Sequence, residues 1–448
     1  MTPASAGRDG LVLGGIPAAR AIEALRRSDP RAHAFYLYDL DALGARARRF
    51  RAAFSGMDPL VAYAIKANGL PAILEHLRAE GIGADAGSLG ELELAAAAGF
   101  EPSRIELNGN ARTEEEAEWS AARGIHSVNA DHVGELDLLD AAAARAERVL
   151  RVALRINPGI ETPGHQYVAT GHDEAKFGVA PREALEVWAA RERWPHLNLG
   201  GVHVHVGSQL MDPAPLRGAA EQAIGLARAA AARGAPLGWL NLGGGFGVDY
   251  DGRAEFPLEH HAQWIVQRLA DATVGSPEPV RARASSAGSG AGAPGLRALE
   301  IVLEPGRWLV APVGVLLSEV LWIKHRDGRR FVVLAAGMND FIRPALYHAR
   351  HRIVPVTPRP GAASAAAVVG PVCESGDVFA EDAALPPLEP GDWVAILDAG
   401  AYGAAMASSY NGRGRLAELV VREGRIVRAR AAETPADLAR GRASDVLA

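Results

Sequence analysis

PLVAYAIKANGLPAILEHLRAEG, residues 59–81, shows the repeating unit of the fold. PLVAYAIKA is a short, nearly unbroken apolar run of strand length that ends in Lys66. LPAILEHLRAEG then carries apolar residues at helical spacing and closes on a glycine, a common helix stop. The same alternation recurs along the chain. RVLRVALRINPG (148–159), LNLGGVHVHVGS (197–208), GWLNLGGGFG (238–247) and ALEIVLEPG (298–306) continue the strand series. REALEVWAARER (182–193) and PAPLRGAAEQAIGLARAAAARG (213–234) lie between them at helical spacing. Near-continuous apolar strands separated by helices indicate buried parallel strands.

Each of these strands ends in something chemically unusual: a lysine, an Asn-Pro, a histidine before Gly-Ser, a triple glycine, a Glu-Pro-Gly-Arg. An eight-stranded α/β barrel keeps its active site at the C-terminal ends of the strands. A doubly wound sheet does so too, so this pattern favours the barrel without excluding the sheet.

Beyond about residue 310 the texture changes. VGVLLSEVLWIK, RRFVVLAAG, AAAVVGPVC, DWVAILDAG and RLAELVVREGRIVRA predict strands joined by turns, without intervening helices. The expected fold class is therefore α/β: a TIM-type (β/α)8 barrel plus a C-terminal antiparallel β-barrel or sandwich domain. That second domain would include the N-terminal strand FYLYD, residues 35–39. The expected boundaries are 1–40 for the N-terminal segment of the β-domain, 41–310 for the barrel and 311–448 for the β-domain. SPEPVRARASSAGSGAGAPG, around 276–295, is rich in Gly, Ser, Ala and Pro and is expected to be a flexible surface insertion with no function of its own.

The 448 residues suffice for two or three domains, or for a barrel with a companion. Hydrophobic residues make up 48% and charged residues 22%, the composition of an ordinary globular protein. A net charge of −6 gives no reason to expect a nucleic-acid partner. No run approaches the length needed to span a bilayer. The opening residues MTPASAGRDG lack a basic-then-apolar leader, so a cytoplasmic protein is expected. The one cysteine, Cys373, excludes an internal disulfide and leaves either inert packing or chemistry.

Several residues suit a phosphate-bearing aldehyde cofactor. Lys66 at a barrel mouth would supply an amine, although a lysine ending a strand is usually a surface residue. The turn Gly243, Gly244, Gly245 follows a strand, and side-chain-free residues let backbone N–H groups close on a phosphate. It fits neither the dinucleotide spacing nor a Walker motif, and a plain tight turn is the competing reading. His203 and His205 share one side of their strand; with no third ligand near, ring stacking or core packing is favoured over a metal. Ser208 could donate to a phosphate. Glu304 follows LEIVL and needs a cationic partner if buried, for which Arg307 is the near candidate and a protonated ring nitrogen the functional one.

Taken together, YAIKAN, DAGSLGE, RINPG, KFG, HVHVGSQ, GGGFG, EPGR, GMNDFIRPALY, GPVCESGD, GAYG and SSYN, in this order from about residue 60 to 411, resemble the fold-type III pyridoxal-phosphate decarboxylases, and specifically their diaminopimelate branch. Any one of these motifs is modest evidence; their joint order is highly specific. The resemblance implies pyridoxal 5'-phosphate held through Lys66 as a Schiff base, with His205 stacked on its ring. Ser208, Gly243, Gly244, Gly245, Gly306, Arg307 and Tyr402 would hold the phosphate. Glu304 would pair with the ring nitrogen, with Asp85, Ser88, Glu91 and Arg155 around lysine and ring. Arg307, Arg343, Tyr347, Glu374 and Tyr402 would surround the substrate. It also implies a homodimer in which Cys373 and Glu374 reach into the partner's site, a natural outcome of two-fold symmetry.

These residue types suit decarboxylation. A carboxylate at the ring nitrogen makes a strong electron sink, whereas related racemases would be expected to place an arginine there. Cys373 would then protonate Cα, its competing reading being a small buried hydrophobe. Arginine clamps carboxylates bidentately, so Arg307 and Arg343 suit the distal carboxylate of meso-diaminopimelate, and Glu374 its ammonium. The expected reaction is decarboxylation of meso-2,6-diaminopimelate to L-lysine. Departures from the family pattern are Ala335 for an aspartate, Arg112 for a lysine, SVNADH without a glutamate-serine, and a leucine rather than a proline after SSYNGRGR. A sibling decarboxylase for another basic amino acid or carboxylated polyamine, and a non-catalytic cofactor-binding protein, stay open from sequence.

Overall fold

A computed structural model describes residues 4–7, 10–160, 177–274 and 299–440, and the insertion expected at 276–295 lies outside them. Three short strands at the N-terminus, β1 (Ala4–Gly7), β2 (Gly10–Leu13) and β3 (Ile16–Pro17), form a small antiparallel sheet. Next comes β4 (Ala34–Asp39), the FYLYD strand, buried along its whole length.

The chain then enters a closed barrel of eight parallel strands in sequence order: β5 (Leu60–Ala64), β6 (Gly83–Ala86), β7 (Ile105–Leu107), β8 (Ser127–Ala130), β9 (Leu150–Ile156), β10 (Leu197–Val204), β11 (Trp239–Asn241) and β12 (Glu300–Leu303). Closure is made by β12 on β5, with Val302 beside Leu60. Local chemistry sets the flanking helices. Thr113 caps helix Glu114–Arg123 with a reciprocal Glu116 box, and Gly124 ends it in the left-handed region at φ 64°.

The second domain is a nine-stranded sheet built from β4 with β13 (Gly314–Arg326), β14 (Arg329–Leu334), β15 (Ile353–Pro355), β16 (Ser364–Val369), β17 (Val378–Leu385), β18 (Trp393–Ile396), β19 (Ala417–Arg422) and β20 (Arg425–Arg430). The N-terminal strand therefore joins this domain, as its sequence predicts. The sheet is mostly antiparallel but not wholly so: β14 runs parallel to β16, and β19 parallel to β4. Both parallel pairs join strands distant in sequence, which local turn patterns do not report. β13 is long because it serves both halves, pairing with β4 and β18 through residues 314–319 and with β14 from Val320 onward. Among the described residues no helix is long and apolar enough to cross a membrane.

Candidate active site

The parallel barrel brings the C-terminal ends of its strands to one mouth, where a cleft of about 190 Å³ opens. Ala64, Lys66, Asp85, His205, Ser208, Gly245, Phe246, Glu304, Gly306 and Arg307 line it from the barrel. Arg343, Tyr347 and Tyr402 line it from the β-domain. Lys66 sits in the single turn Ile65–Ala67 directly after β5, with its side chain half exposed into the cleft. Its Nζ lies 3.2 Å from Oδ2 of the fully buried Asp85. Desolvation works against the Lys66 charge, but Asp85, then Tyr402, Glu304 and Glu91, outweigh it and raise the amine above its usual range.

Glu304 follows β12 and is buried on the cleft floor. Its expected partner from sequence, Arg307, is not bonded to it: Arg307 turns into a short helix and reaches Ser208 and Tyr250 instead. Glu304 Oε1 accepts from Asn241 Nδ2 at 2.7 Å and Asn108 Nδ2 at 2.8 Å, and Oε2 meets His203 Nε2 at 3.3 Å. Asn108 also reaches Asp85 Oδ1 at 2.7 Å, so the two carboxylates share one amide. Burial pushes both carboxyls up. At Glu304 the charge and hydrogen bond of His203, with Lys66, overcome burial and hold it well below the carboxylate range. At Asp85 burial wins over Lys66 and raises the carboxyl to about 6, so Asp85 is the more readily protonated of the two carboxyls.

His205 follows β10 and accepts the Gly244 amide on Nδ1 at 3.2 Å. Burial, with Arg155 and Lys66 nearby, drops its pKa to about 3, so the imidazole is neutral. The glycine turn is demanded by space. At Gly243, φ +66°, a Cβ would sit 2.4 Å from the Val204 carbonyl oxygen, and at Gly245, φ +104°, one would sit 2.7 Å from that of Gly207. The Gly243 amide donates to Asn241 Oδ1, which leaves Gly245 as the member of the turn that lines the cleft. Arg307 Nη2 donates to Ser208 Oγ at 2.9 Å, and the buried Arg307 Nε has no partner among the described residues. Guanidinium, hydroxyl and bare backbone converge there, a donor set that fits a phosphate; Lys66 and Glu304 fit the aldehyde and ring nitrogen of pyridoxal phosphate.

The β-domain closes the rim. Tyr402, in the left-handed region at φ 56°, donates its amide to the Ala67 carbonyl at 2.8 Å, and Arg307 lies over its ring at 4.7 Å. Arg343 is buried; its Nη2 donates to the Tyr250 hydroxyl at 3.2 Å and its Nε to His351 Nε2 at 3.2 Å. Sequence reading missed Tyr250, His351, Asn108 and Asn241. Asn241 stands in an apolar strand just before the glycine turn, which was its available signal.

Other expected residues lie elsewhere. Arg155, on β9, pairs with Asp131 at 3.4 Å rather than lining the cleft. Ser88 caps helix Leu89–Ala97, and Glu91 accepts the Gly87 amide. Cys373 and Glu374 are exposed on a loop outside the cleft lining. The Arg112 side chain is buried and lies 3.7 Å from Glu116 and 3.5 Å from Glu135, while the Ala335 carbonyl accepts from Arg413. No group of three metal-ligating side chains is present among the described residues.

Residues 40–311 match the model of the pyridoxal-dependent decarboxylases, pyridoxal binding domain. The chain is 39% identical over 405 residues to a diaminopimelate decarboxylase of Helicobacter pylori, covering 90% of this chain and 94% of that one. The crystal structure of the Helicobacter pylori diaminopimelate decarboxylase complexed with L-lysine superposes with a TM-score of 0.83 at 38% identity, over 94% of this chain and 98% of the other. A diaminopimelate decarboxylase from M. jannaschii, in co-complex with L-lysine, gives 0.87 at 30% identity over 99% and 98%.

Proposed function

The chain belongs to the diaminopimelate decarboxylase family of pyridoxal-dependent decarboxylases, and from that premise we infer that it converts meso-2,6-diaminopimelate into L-lysine and carbon dioxide. It is a carbon–carbon lyase that completes lysine biosynthesis. The observation that carries this reading is Glu304, an anionic carboxylate on the floor of a cleft whose wall carries Lys66.

Bound in the cleft, pyridoxal phosphate supplies the conjugated ring that accepts the electron pair left at Cα when carbon dioxide departs. Lys66 would hold its aldehyde carbon. Asp85 would pair with the Lys66 ammonium and hold it in place at the cleft wall. Glu304 would offer a carboxylate oxygen to the ring nitrogen and favour its protonated form. His205, neutral at physiological pH, would sit beside the ring without opposing that positive charge. The turn Gly243–Gly245, Ser208, Gly306, Arg307 and Tyr402 would anchor the phosphate, and the charge of Arg155, paired with Asp131, helps keep His205 neutral. Arg307 and Arg343, with Tyr347 and Tyr402, receive the substrate and its distal carboxylate.

Cys373 and Glu374 work in the cleft of a second copy, across the two-fold axis of a homodimer. Their exposure in one chain, on a loop outside the lining of this cleft, supports that placement. The Cys373 thiol gives its proton to Cα, and Glu374 takes the distal ammonium. The biosynthetic reaction supports a cytoplasmic setting.

Carbon dioxide release from meso-diaminopimelate by the pyridoxal-phosphate-loaded protein, absent in Lys66→Ala, tests the assignment. Release from L-lysine or ornithine with diaminopimelate untouched would remove it.

A further inference from the structure

A chain of polar side chains crosses the barrel interior from Glu304 to the opposite mouth. Asn241 Nδ2 donates to Glu304 Oε1 at 2.7 Å and to Glu106 Oε2 at 3.0 Å. Asn129 Nδ2 reaches Glu106 Oε2 at 3.2 Å and Glu304 Oε1 at 3.5 Å. Glu106 is on β7 and Asn241 on β11, four strands apart around the barrel, so their bond spans its inside. The Gly243 amide on Asn241 Oδ1 fixes which way the Asn241 carboxamide faces.

Glu106 is fully buried and accepts Ser127 Oγ at 3.0 Å on each of its oxygens. Its counter-ion is His126, bonded through Nδ1. The other face of His126, Nε2, meets Glu300 Oε1 at 2.7 Å, and Glu300 pairs with Arg151 at 2.7 Å. His126 and Glu300 line a cleft of about 500 Å³ among residues that precede or begin β5, β6, β7, β8 and β12, the N-terminal end of the barrel. Burial disfavours the imidazolium, but hydrogen bonds with Glu106 and then Glu300 lift its pKa to about 9.

Two carboxylates that share Asn241 and Asn129 would repel in a low-dielectric interior unless one is neutralised. His126 neutralises Glu106. Glu106 can then draw the Asn241 and Asn129 amides into line as donors to Glu304 Oε1, so that Oε2, which meets His203, is the less crowded oxygen.

We propose that His126, acting through Glu106 and Asn241, is a positioning residue for Glu304, setting from the far end of the barrel how firmly Glu304 holds the protonated ring nitrogen. This rests on the reading above only in taking Glu304 as the partner of that nitrogen.

The test compares the wild type, His126→Gln and the double variant Glu106→Gln/His126→Gln, each titrated with pyridoxal phosphate without substrate. In His126→Gln we expect cofactor affinity to fall about tenfold, with a shift in the pH midpoint of the visible absorption band. With substrate, kcat should fall while KM stays within about twofold. The double variant leaves no unpaired buried charge, so it remains informative if His126→Gln does not fold, and it should show the same band shift. A folded variant with the wild-type band, affinity and kcat would reduce the network to structural support. The cofactor titration is read without diaminopimelate, so it stands apart from the substrate assignment.

Discussion

The Tyr250 hydroxyl accepts Arg343 Nη2 at 3.2 Å and, from the other side, Arg307 Nη1 at 2.9 Å. One phenolic oxygen thus sets the separation of the two guanidinium groups assigned to the distal carboxylate. Tyr250→Phe keeps the ring packed against His351, at 4.5 Å between centroids, and removes only the shared acceptor. KM for meso-diaminopimelate is expected to rise about five- to tenfold with kcat nearly unchanged, from the loss of one or two hydrogen bonds to charged groups. Steady-state kinetics of the variant checks this; an unaltered KM would detach Tyr250 from substrate recognition.

Asp85 is the leading positive influence on the Lys66 amine. Replacing it by Asn removes that charge, so the Lys66 pKa falls and the neutral amine is available at lower pH. The pH midpoint for loading pyridoxal phosphate is expected to move down by about one unit or more in Asp85→Asn. Stopped-flow absorbance across pH gives the midpoint, and an upward move would contradict the assigned pairing.

His126 has its folded pKa raised to about 9 from 6.5. The stability it contributes is therefore complete below 6.5 and is lost as pH rises through 9, an effect of up to about 3 kcal/mol for a buried group. Thermal melts of the wild type should fall more steeply between pH 7 and 9.5 than those of His126→Gln. Parallel curves would mean that His126 does not change charge in that window.

If Cys373 serves a neighbouring cleft, two crippled variants should rescue each other. Lys66→Ala and Cys373→Ala, each inactive alone, are expected to recover about a quarter of wild-type activity when unfolded together and refolded. Half of the dimers are then mixed, and each mixed dimer holds one intact site. No recovery from a mixture that forms dimers would place Cys373 in its own chain's cleft.

The barrel was legible because five of its eight strands read as short apolar runs separated by helices, most of them ending in a site residue. Lys66, Glu304 and the glycine turn could be found that way, since their positions at strand ends are local features. The floor beneath Glu304 could not. Asn241 interrupts an apolar strand by one residue, and Glu106 in RIELNGN resembles any alternating charge. Their meeting depends on which strands face each other across the barrel, a non-local fact. Arg307 was expected beside Glu304 because it is three residues away, yet its helical turn carries it to Ser208 and Tyr250. The parallel pairs in the β-domain stayed hidden for the same reason: β4 and β19 are far apart in the chain.

Carbon dioxide and L-lysine released from meso-diaminopimelate should be measured together, using pyridoxal-phosphate-loaded wild type and Lys66→Ala. Equal amounts of both products from the wild type and neither from the variant are the expected result. A wild type that shows the bound-cofactor absorbance band yet forms no lysine would contradict the assignment of diaminopimelate as its substrate.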